Sequence, residues 1–278
     1  MQAPADQEPT LRKRVEQLSQ KRGPGHQSTL EALNSLATNL MAQGKNAEAQ
    51  QVKQQVSDNQ GKALEQLKAK KGPKDILSQV GMQNMIIQRA FSGDLEGAAS
   101  VYEQLQAEVG LDSDICQSAA LCLARALHMA GMHATARGQP AEAESKLTQA
   151  VQFLQPLLEH LRAKGSRAPK QSKLDLMDAM AQALCGMGRH TEAEQILRDI
   201  VGDKPKIMGI QHVCTVGYMA ELASMLSTQG KDAEAEHWKR QVVDAYSRIL
   251  GPKQTMTQMA KSSLDTCLRK QGKSAEGK

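Results

Sequence analysis

Leucine, alanine, valine and methionine recur along this chain at intervals of three and four, the spacing that aligns side chains on one face of a helix. Over 29–43 the apolar marks are Leu30, Leu33, Leu36, Ala37 and Leu40, and the pattern stops at Gly44. A second helix is predicted from near Ala47 through Ala49, Val52, Val56, Ala63 and Leu67 to the break KKGPK at 70–74. The same alternation continues with Ile76, Met82, Met85, Ile86 and Phe91, then Ala98, Val101, Tyr102 and Leu105 as far as Gly110. A long helix over 113–137 and another from Ala141 to about Ala163 follow, with further pairs over 174–204 and 213–250 and a last helix from 255. Ahead of them all, Leu11, Val15 and Leu18 mark a helix that Gly23 and Pro24 bring to a stop. Ser28 or Thr29 is expected to cap the helix after it, with Glu31 close behind. Residues 1–10 are polar and are expected to be disordered.

Each helix pair turns on a glycine set in similar chemistry: GKNAEA at 44, GDLEGA at 93, GQPAEA at 138, GRHTEA at 188, GKDAEA at 230 and GKSAEG at 272. The intervals are 49, 45, 50, 42 and 42 residues. A fixed interval with repeated chemistry predicts stacked units rather than a single core. The fold class expected is all-α, a right-handed α-solenoid of antiparallel helix-turn-helix repeats. Its parts are a half-repeat over 11–27, repeats over 28–72, 75–110, 113–165, 174–208 and 213–250, and a half-repeat over 254–278. The lone helices at the two ends are expected to act as caps, the alternative being that the chain is cut from a longer array.

Measured from the turn glycines, helix A carries an apolar–small pair seven to eight residues earlier, at Leu36-Ala37, Met180-Ala181 and Leu222-Ala223. Helix B carries an alanine five residues later, at Ala49, Ala143, Ala193 and Ala235. This arrangement resembles the tetratricopeptide repeat, in which small residues let helices A and B approach closely. The 42-residue interval and the strings GPGHQSTLEALNSLA (23–37) and LGPKQTMTQMAKSSL (250–264) resemble the kinesin light chain subtype. Gly23, Pro24, His26, Thr29, Leu30, Asn34, Leu36 and Ala37 keep that subtype's break, whereas Gln27 and Ser35 depart from it. Residues 84–110 also resemble a pentatricopeptide unit.

Composition narrows the picture. Phe91, Phe153, Tyr102, Tyr218, Tyr246 and Trp238 are all the aromatics, so the interior is built from aliphatic residues and 14 methionines, which suits stacked helices over a β-sandwich. Methionines paired three apart at 82/85, 129/132, 177/180 and 256/259 are expected to fill core gaps, with Met129 and Met132 nearer a binding surface. The five cysteines contain no CxxC and read as reduced and non-metal, in an intracellular chain. No secretory signal or membrane-length apolar run is apparent, and a cytoplasmic location is expected. No HExxH, phosphate loop, GxSxG or usefully spaced Cys–His pair occurs, so neither an enzyme nor a cofactor nor a small-molecule substrate is expected.

The resemblance implies a concave groove lined by helix A that takes a peptide or helix of a partner protein. Its positions would include Asn34, Thr38, Gln83, Arg125, His128, Met132, Asp178, Gln182, Glu221 and Ser224, a mixed polar surface. Asn34 is the foremost candidate because an amide can both donate to and accept from a peptide backbone. For Asp175 and Asp178 on their own, a solvated helix face is the expectation. Net charge is +5, and cations gather where helix B hands over to the next helix A: Lys70, Lys71 and Lys74, then Arg162, Arg167, Lys170 and Lys173, then Lys204 and Lys206. The alternative function is RNA or acidic-partner binding along that basic edge. Its plain counterpart is cations complementing helix C-termini.

Overall fold

The computed structural model describes residues 4–164, 171–209 and 212–273. Among them the chain forms twelve α-helices and no strand: α1 (Pro4–Arg22), α2 (Gln27–Ala42), α3 (Asn46–Lys71), α4 (Ile76–Ser92), α5 (Leu95–Val109), α6 (Asp114–Ala136), α7 (Pro140–Ala163), α8 (Gln171–Gly186), α9 (His190–Met208), α10 (Val213–Thr228), α11 (Asp232–Ile249) and α12 (Thr255–Lys270). The chain divides into two compact units, Met1–Leu123 and Ala124–Lys278. In the first, each of α1 to α4 packs on the helix that follows it; in the second, each of α7 to α11 does the same. This is the hairpin architecture that the apolar stripes predict.

Small residues set the packing distance. In the first unit Leu30, Leu33, Leu36 and Leu40 close on Val52 and Val56 around Ala37 and Ala49, with Leu11 and Val15 against the same cluster. In the second, Val216 and Met219 meet Val242 and Tyr246, while Ala223 and Ala235 are fully buried.

The glycine turns explain why the hairpins are alike. Gly44, Gly93, Gly138, Gly188, Gly230 and Gly272 all have φ between 68° and 89°, the left-handed region that costs a side-chain-bearing residue. Behind each of them one more amide closes the helix. Lys45 donates to the Leu40 carbonyl, Asp94 to Arg89, Gln139 to Ala134, Arg189 to Leu184, Lys231 to Leu226 and Lys273 to Leu268, all at 2.9 Å. This six-to-one bond satisfies a carbonyl that the helix end would otherwise leave unpaired.

A second glycine series, not recognised in the sequence, marks the joints between hairpins. Gly23, Gly72, Gly110, Gly209 and Gly251 also have positive φ, so the glycines from Gly188 to Gly272 fall every 21 residues. At four of these joints a buried hydroxyl six residues on donates to the glycine carbonyl: Thr29 to Gly23 (2.9 Å), Ser78 to Gly72 (2.8 Å), Thr215 to Gly209 (2.9 Å) and Thr257 to Gly251 (2.9 Å). At the Gly110 joint the Gln117 amide donates to the Leu111 carbonyl instead, at 3.2 Å.

The next helix is capped by the residue three after the glycine. The imidazole Nδ1 of His26 accepts from the Ser28 amide and that of His212 from the Cys214 amide, while Asp75 accepts from Leu77. Ser28 and Thr29 are therefore not the caps of α2, because the Thr29 hydroxyl is directed back to the joint.

Three further expectations change. Residues 4–10 are helical rather than disordered: Pro4 opens α1, where its missing N–H costs nothing, and Glu8 is anchored by two cations. Ile76 and Phe91 are 62% and 87% exposed. At roughly 100° per residue Phe91 lies half a turn from the buried Met82 stripe. The methionines split: Met82, Met85, Met177 and Met180 are core, but Met129, Met132, Met256 and Met259 are exposed.

An ion-pair clamp recurs three times. A helix-B glutamate meets an arginine four residues on and a lysine 37 residues on. The sets are Glu8 with Arg12 (2.9 Å) and Lys45 (2.7 Å), Glu194 with Arg198 (2.9 Å) and Lys231 (2.6 Å), and Glu236 with Arg240 (2.9 Å) and Lys273 (2.7 Å). Each lysine follows a turn glycine, so the clamp ties one B helix to the turn preceding the next. In two sets the arginine also reaches a glutamate on that next helix, Arg12 to Glu48 and Arg198 to Glu234, both at 2.7 Å. The Lys45 and Arg12 hydrogen bonds hold the Glu8 carboxyl down to about 2. Burial works to raise Glu194, but the bonds from Lys231 and Arg198 outweigh it and the net shift is downward.

Candidate functional site

Helices α6, α8 and α10 of the second unit enclose a cavity of about 610 Å³. Its lining includes His128 and Met132 from α6, Gln182 and Cys185 from α8, and Glu221, Ser224 and Thr228 from α10, over an apolar floor with Leu197 and Met225. Five of the predicted groove positions thus share one wall: His128, Met132, Gln182, Glu221 and Ser224. A second cavity of about 270 Å³ shares Ala220 and Ser224 with it and runs on to Met256 and Met259 of α12. Met132 of α6 and Met256 and Met259 of α12 line these cavities, which is why they are not core, whereas the exposed Met129 lines neither.

Buried acid lies behind the groove. Asp178 is only 7% exposed, accepts from Gln182 at 3.1 Å and lies 4.0 Å from the Arg125 guanidinium. Burial pushes its carboxyl up, against the pull of Gln182 and Arg125; Asp178 is therefore not on a solvated face, but it lies behind the cavity wall and not among the residues that line it. Asp175 accepts from Gln171 at 2.7 Å, and Gln171 in turn accepts from Lys204 at 3.0 Å. Lys204 is 2% exposed, with its ammonium 5.4 Å from the centre of the Tyr218 ring, so it does not belong to a basic edge. Burial raises Tyr218, and the nearby Asp178 and Glu221 carboxylates add to that. Glu221, in the groove wall, is open to solvent along one side, and partial withdrawal from water followed by the Asp178 charge push its carboxyl up. Burial also lowers His128 and raises Cys185. The ring nitrogens Nδ1 of His128 and His190, both on the cavity wall, are buried without a hydrogen-bond partner.

Asn34 and Thr38 line a separate cavity of about 310 Å³ in the first unit, together with Lys53, Gln60, Gln88 and Phe91. Gln83 is not among its lining and instead donates to Ser118 at 3.0 Å.

Of the basic-edge positions, Lys70, Lys71 and Lys74 are exposed in the first unit. In the second, Arg162 is exposed and lies 3.7 Å from Asp199, while Lys173 is half-buried. Arg167 and Lys170 lie outside the described residues. Lys68, just ahead of Lys70 on α3, is ion-paired with Glu108 at 3.1 Å.

The sequence reading missed Cys185, His190, Ala220 and Thr228, which line the same cavity. A signal was present for two of them. Cys185 lies three residues after Gln182 and Thr228 four after Ser224, so each continues a predicted face by one helical turn.

Among the described residues no three His, Cys, Asp or Glu side chains group to hold a metal, and no helix is long and apolar enough to cross a membrane.

Residues 215–254, covering most of α10 and all of α11, match the family model of the tetratricopeptide repeat. Among solved structures, the chain is similar to a Podosopora anserina putative kinesin light chain with nearly identical TPR-like repeats. Its Q17M form is 22% identical over 73% of this chain and 87% of that one, at a TM-score of 0.45. The form without that substitution is 21% identical over 73% and 88%, also at 0.45. The structure of BtubC (BKLC) from P. vanneervenii is 14% identical over 90% of this chain and 94% of that one, at 0.47. No curated protein sequence matches. Residues 215–254 thus match the tetratricopeptide repeat, and the hairpins before them in the second unit are built on the same helix–glycine–helix plan.

Proposed function

We propose that this chain is a non-catalytic protein-interaction scaffold, and that a peptide or helix of a partner lies in the groove of α6, α8 and α10. The observation that supports this most is the single cavity shared by His128, Met132, Gln182, Glu221 and Ser224, positions on the inward face of three A-type helices. Its size suits a few side chains of an inserted segment, and its apolar floor beneath spaced polar groups is the usual composition of a recognition groove.

A groove-filling substitution tests the reading. Ser224 is exposed and lines both connected cavities, so Ser224→Trp occupies the space where a partner segment would lie. Partner proteins retained by the wild-type chain are expected to be lost with Ser224→Trp. They are expected to be kept after nuclease treatment and after combined Lys70→Glu, Lys71→Glu and Lys74→Glu substitution. The opposite pattern, loss with nuclease or charge reversal and retention with Ser224→Trp, transfers the function to the basic edge.

A further inference from the structure

The chemistry of the groove specifies its occupant further, on the reading that it binds a partner segment. We infer that it takes a segment bearing an arginine or lysine within an apolar stretch, with the cationic head held by Glu221, backed by the charge of the buried Asp178, and the flanking apolar side chains seated against Met132, Met256 and Met259.

The argument begins with the charges. Glu221 lines the cavity, Asp178 on the adjacent helix α8 acts on it electrostatically, and Asp175 acts on Asp178 in turn; the cations nearest these acids are Lys204 and Arg125. Lys204 is committed to Gln171 and the Tyr218 ring. Arg125, whose side chain is 53% exposed, reaches Asp178 only at 4.0 Å. Among the described residues no cation pairs with Glu221. Glu221 is open to solvent on the cavity wall, so a cation can reach it directly, and the charge of the neighbouring Asp178 adds to the attraction.

The groove also fits the stem that carries such a head. Arginine and lysine present several methylenes before their charge, and the floor beneath Glu221 offers Leu197 and Met225 to cover them. Beyond Ser224 the groove continues into the smaller cavity, where Met256 and Met259 are 46% and 67% exposed. Flexible thioether side chains there accommodate apolar neighbours of varied shape. The one cation on that side, Lys239, is 8% exposed and donates to the Ser263 carbonyl at 3.2 Å, so it does not repel an incoming positive charge at the opening. The unpaired Nδ1 atoms of His128 and His190 lie on the same wall, within reach of a segment's main chain.

The test uses random 16-residue peptides displayed on phage, selected against the full chain. Binders that also bind Ser224→Trp or Thr228→Trp are discarded, which keeps those that need the groove. The retained peptides are expected to share an arginine or lysine flanked by apolar residues. Replacing that residue with norleucine, or Glu221 with glutamine, is expected to weaken binding about tenfold or more. Asp178→Asn provides a second acidic-site variant, and matching thermal unfolding confirms that each variant is folded. Groove-dependent peptides without a basic residue, or indifferent to both Glu221→Gln and Asp178→Asn, overturn the charge assignment and leave the scaffold reading standing. The absence of any groove-dependent peptide overturns both.

Discussion

A threonine or serine hydroxyl, fully buried six residues after a joint glycine, closes four of the turns between hairpins. Thr215→Val keeps the shape and removes the donor, leaving the Gly209 carbonyl with only the longer bond from the His212 amide, at 3.3 Å. The expected loss is about 1–3 kcal/mol in a urea titration, whereas Thr215→Ser retains most of the stability. The residue is legible in the sequence, since Gly23–Thr29, Gly72–Ser78, Gly209–Thr215 and Gly251–Thr257 share one spacing. It was not recognised because a serine or threonine before a helix reads first as a cap. His26 and His212, which do cap, lie outside the usual choice of cap residues. Phe91 was misplaced for a related reason: an aromatic in an aliphatic chain suggests core, while its angle around α4 puts it on the opposite face.

Two features belong to the scale of elements. Helices α6, α7 and α8 close around Leu147, and a Cβ added at Gly131 would stand 2.9 Å from its Cγ and 3.3 Å from the Ala143 carbonyl oxygen. Gly131→Ala gains about 1 kcal/mol of helix propensity, but the overpacking costs about 1–3 kcal/mol. A net destabilisation is expected in the wild-type background, and a smaller one or none in Leu147→Ala, where only the 3.3 Å approach to the Ala143 carbonyl oxygen remains; the unfolding free energies of the four chains decide it. The second feature is the glutamate clamp. Glu8, Glu194 and Glu236 all have their carboxyls depressed in the folded chain, so their contribution is complete above the ordinary value near 4.5 and is lost as pH falls below it, for Glu8 through about 2. The thermal midpoint is expected to fall across that window, and the combined Glu8→Gln, Glu194→Gln and Glu236→Gln chain to start lower and lose less. An identical acid profile in both chains removes the clamp as the cause. The helices themselves were legible from local periodicity, but the clamp joins residues 37 apart and emerges only when the repeat is folded.

At the scale of the whole molecule, the sequence announced a series of like hairpins, and its mixed polar helix-A surface contained the groove without delimiting it. Which of those positions share a cavity depends on the distances between helices. Hence Asn34 and Gln83 fall outside the cavity that gathers His128, Gln182 and Glu221. The basic edge shows the converse limit, since counting lysines could not reveal that Lys204 points inward or that Glu108 engages Lys68. Ionic strength separates the two functional readings for the intact chain. Partner binding through the groove is expected to change modestly between 50 and 200 mM salt, whereas RNA held by the exposed lysines would weaken steeply with log salt. The slope from a titration at several salt concentrations is the measurement.

The even placement of the joints makes the length of this protein a quantity that can change in steps. Leu184, Leu226 and Leu268 each accept the same closing bond, from Arg189, Lys231 and Lys273, at the same 2.9 Å. Excising residues 189–230 would bring Gly188 directly before Lys231, whose amide would then find Leu184 where it now finds Leu226. Removing 21 residues instead would set a joint where a hairpin turn belongs. The chain shortened by a whole period is expected to fold with a cooperative melt, and the one shortened by half a period is not. A gene encoding such an array can therefore grow or shrink by recombination between its own repeats without inventing a new connection.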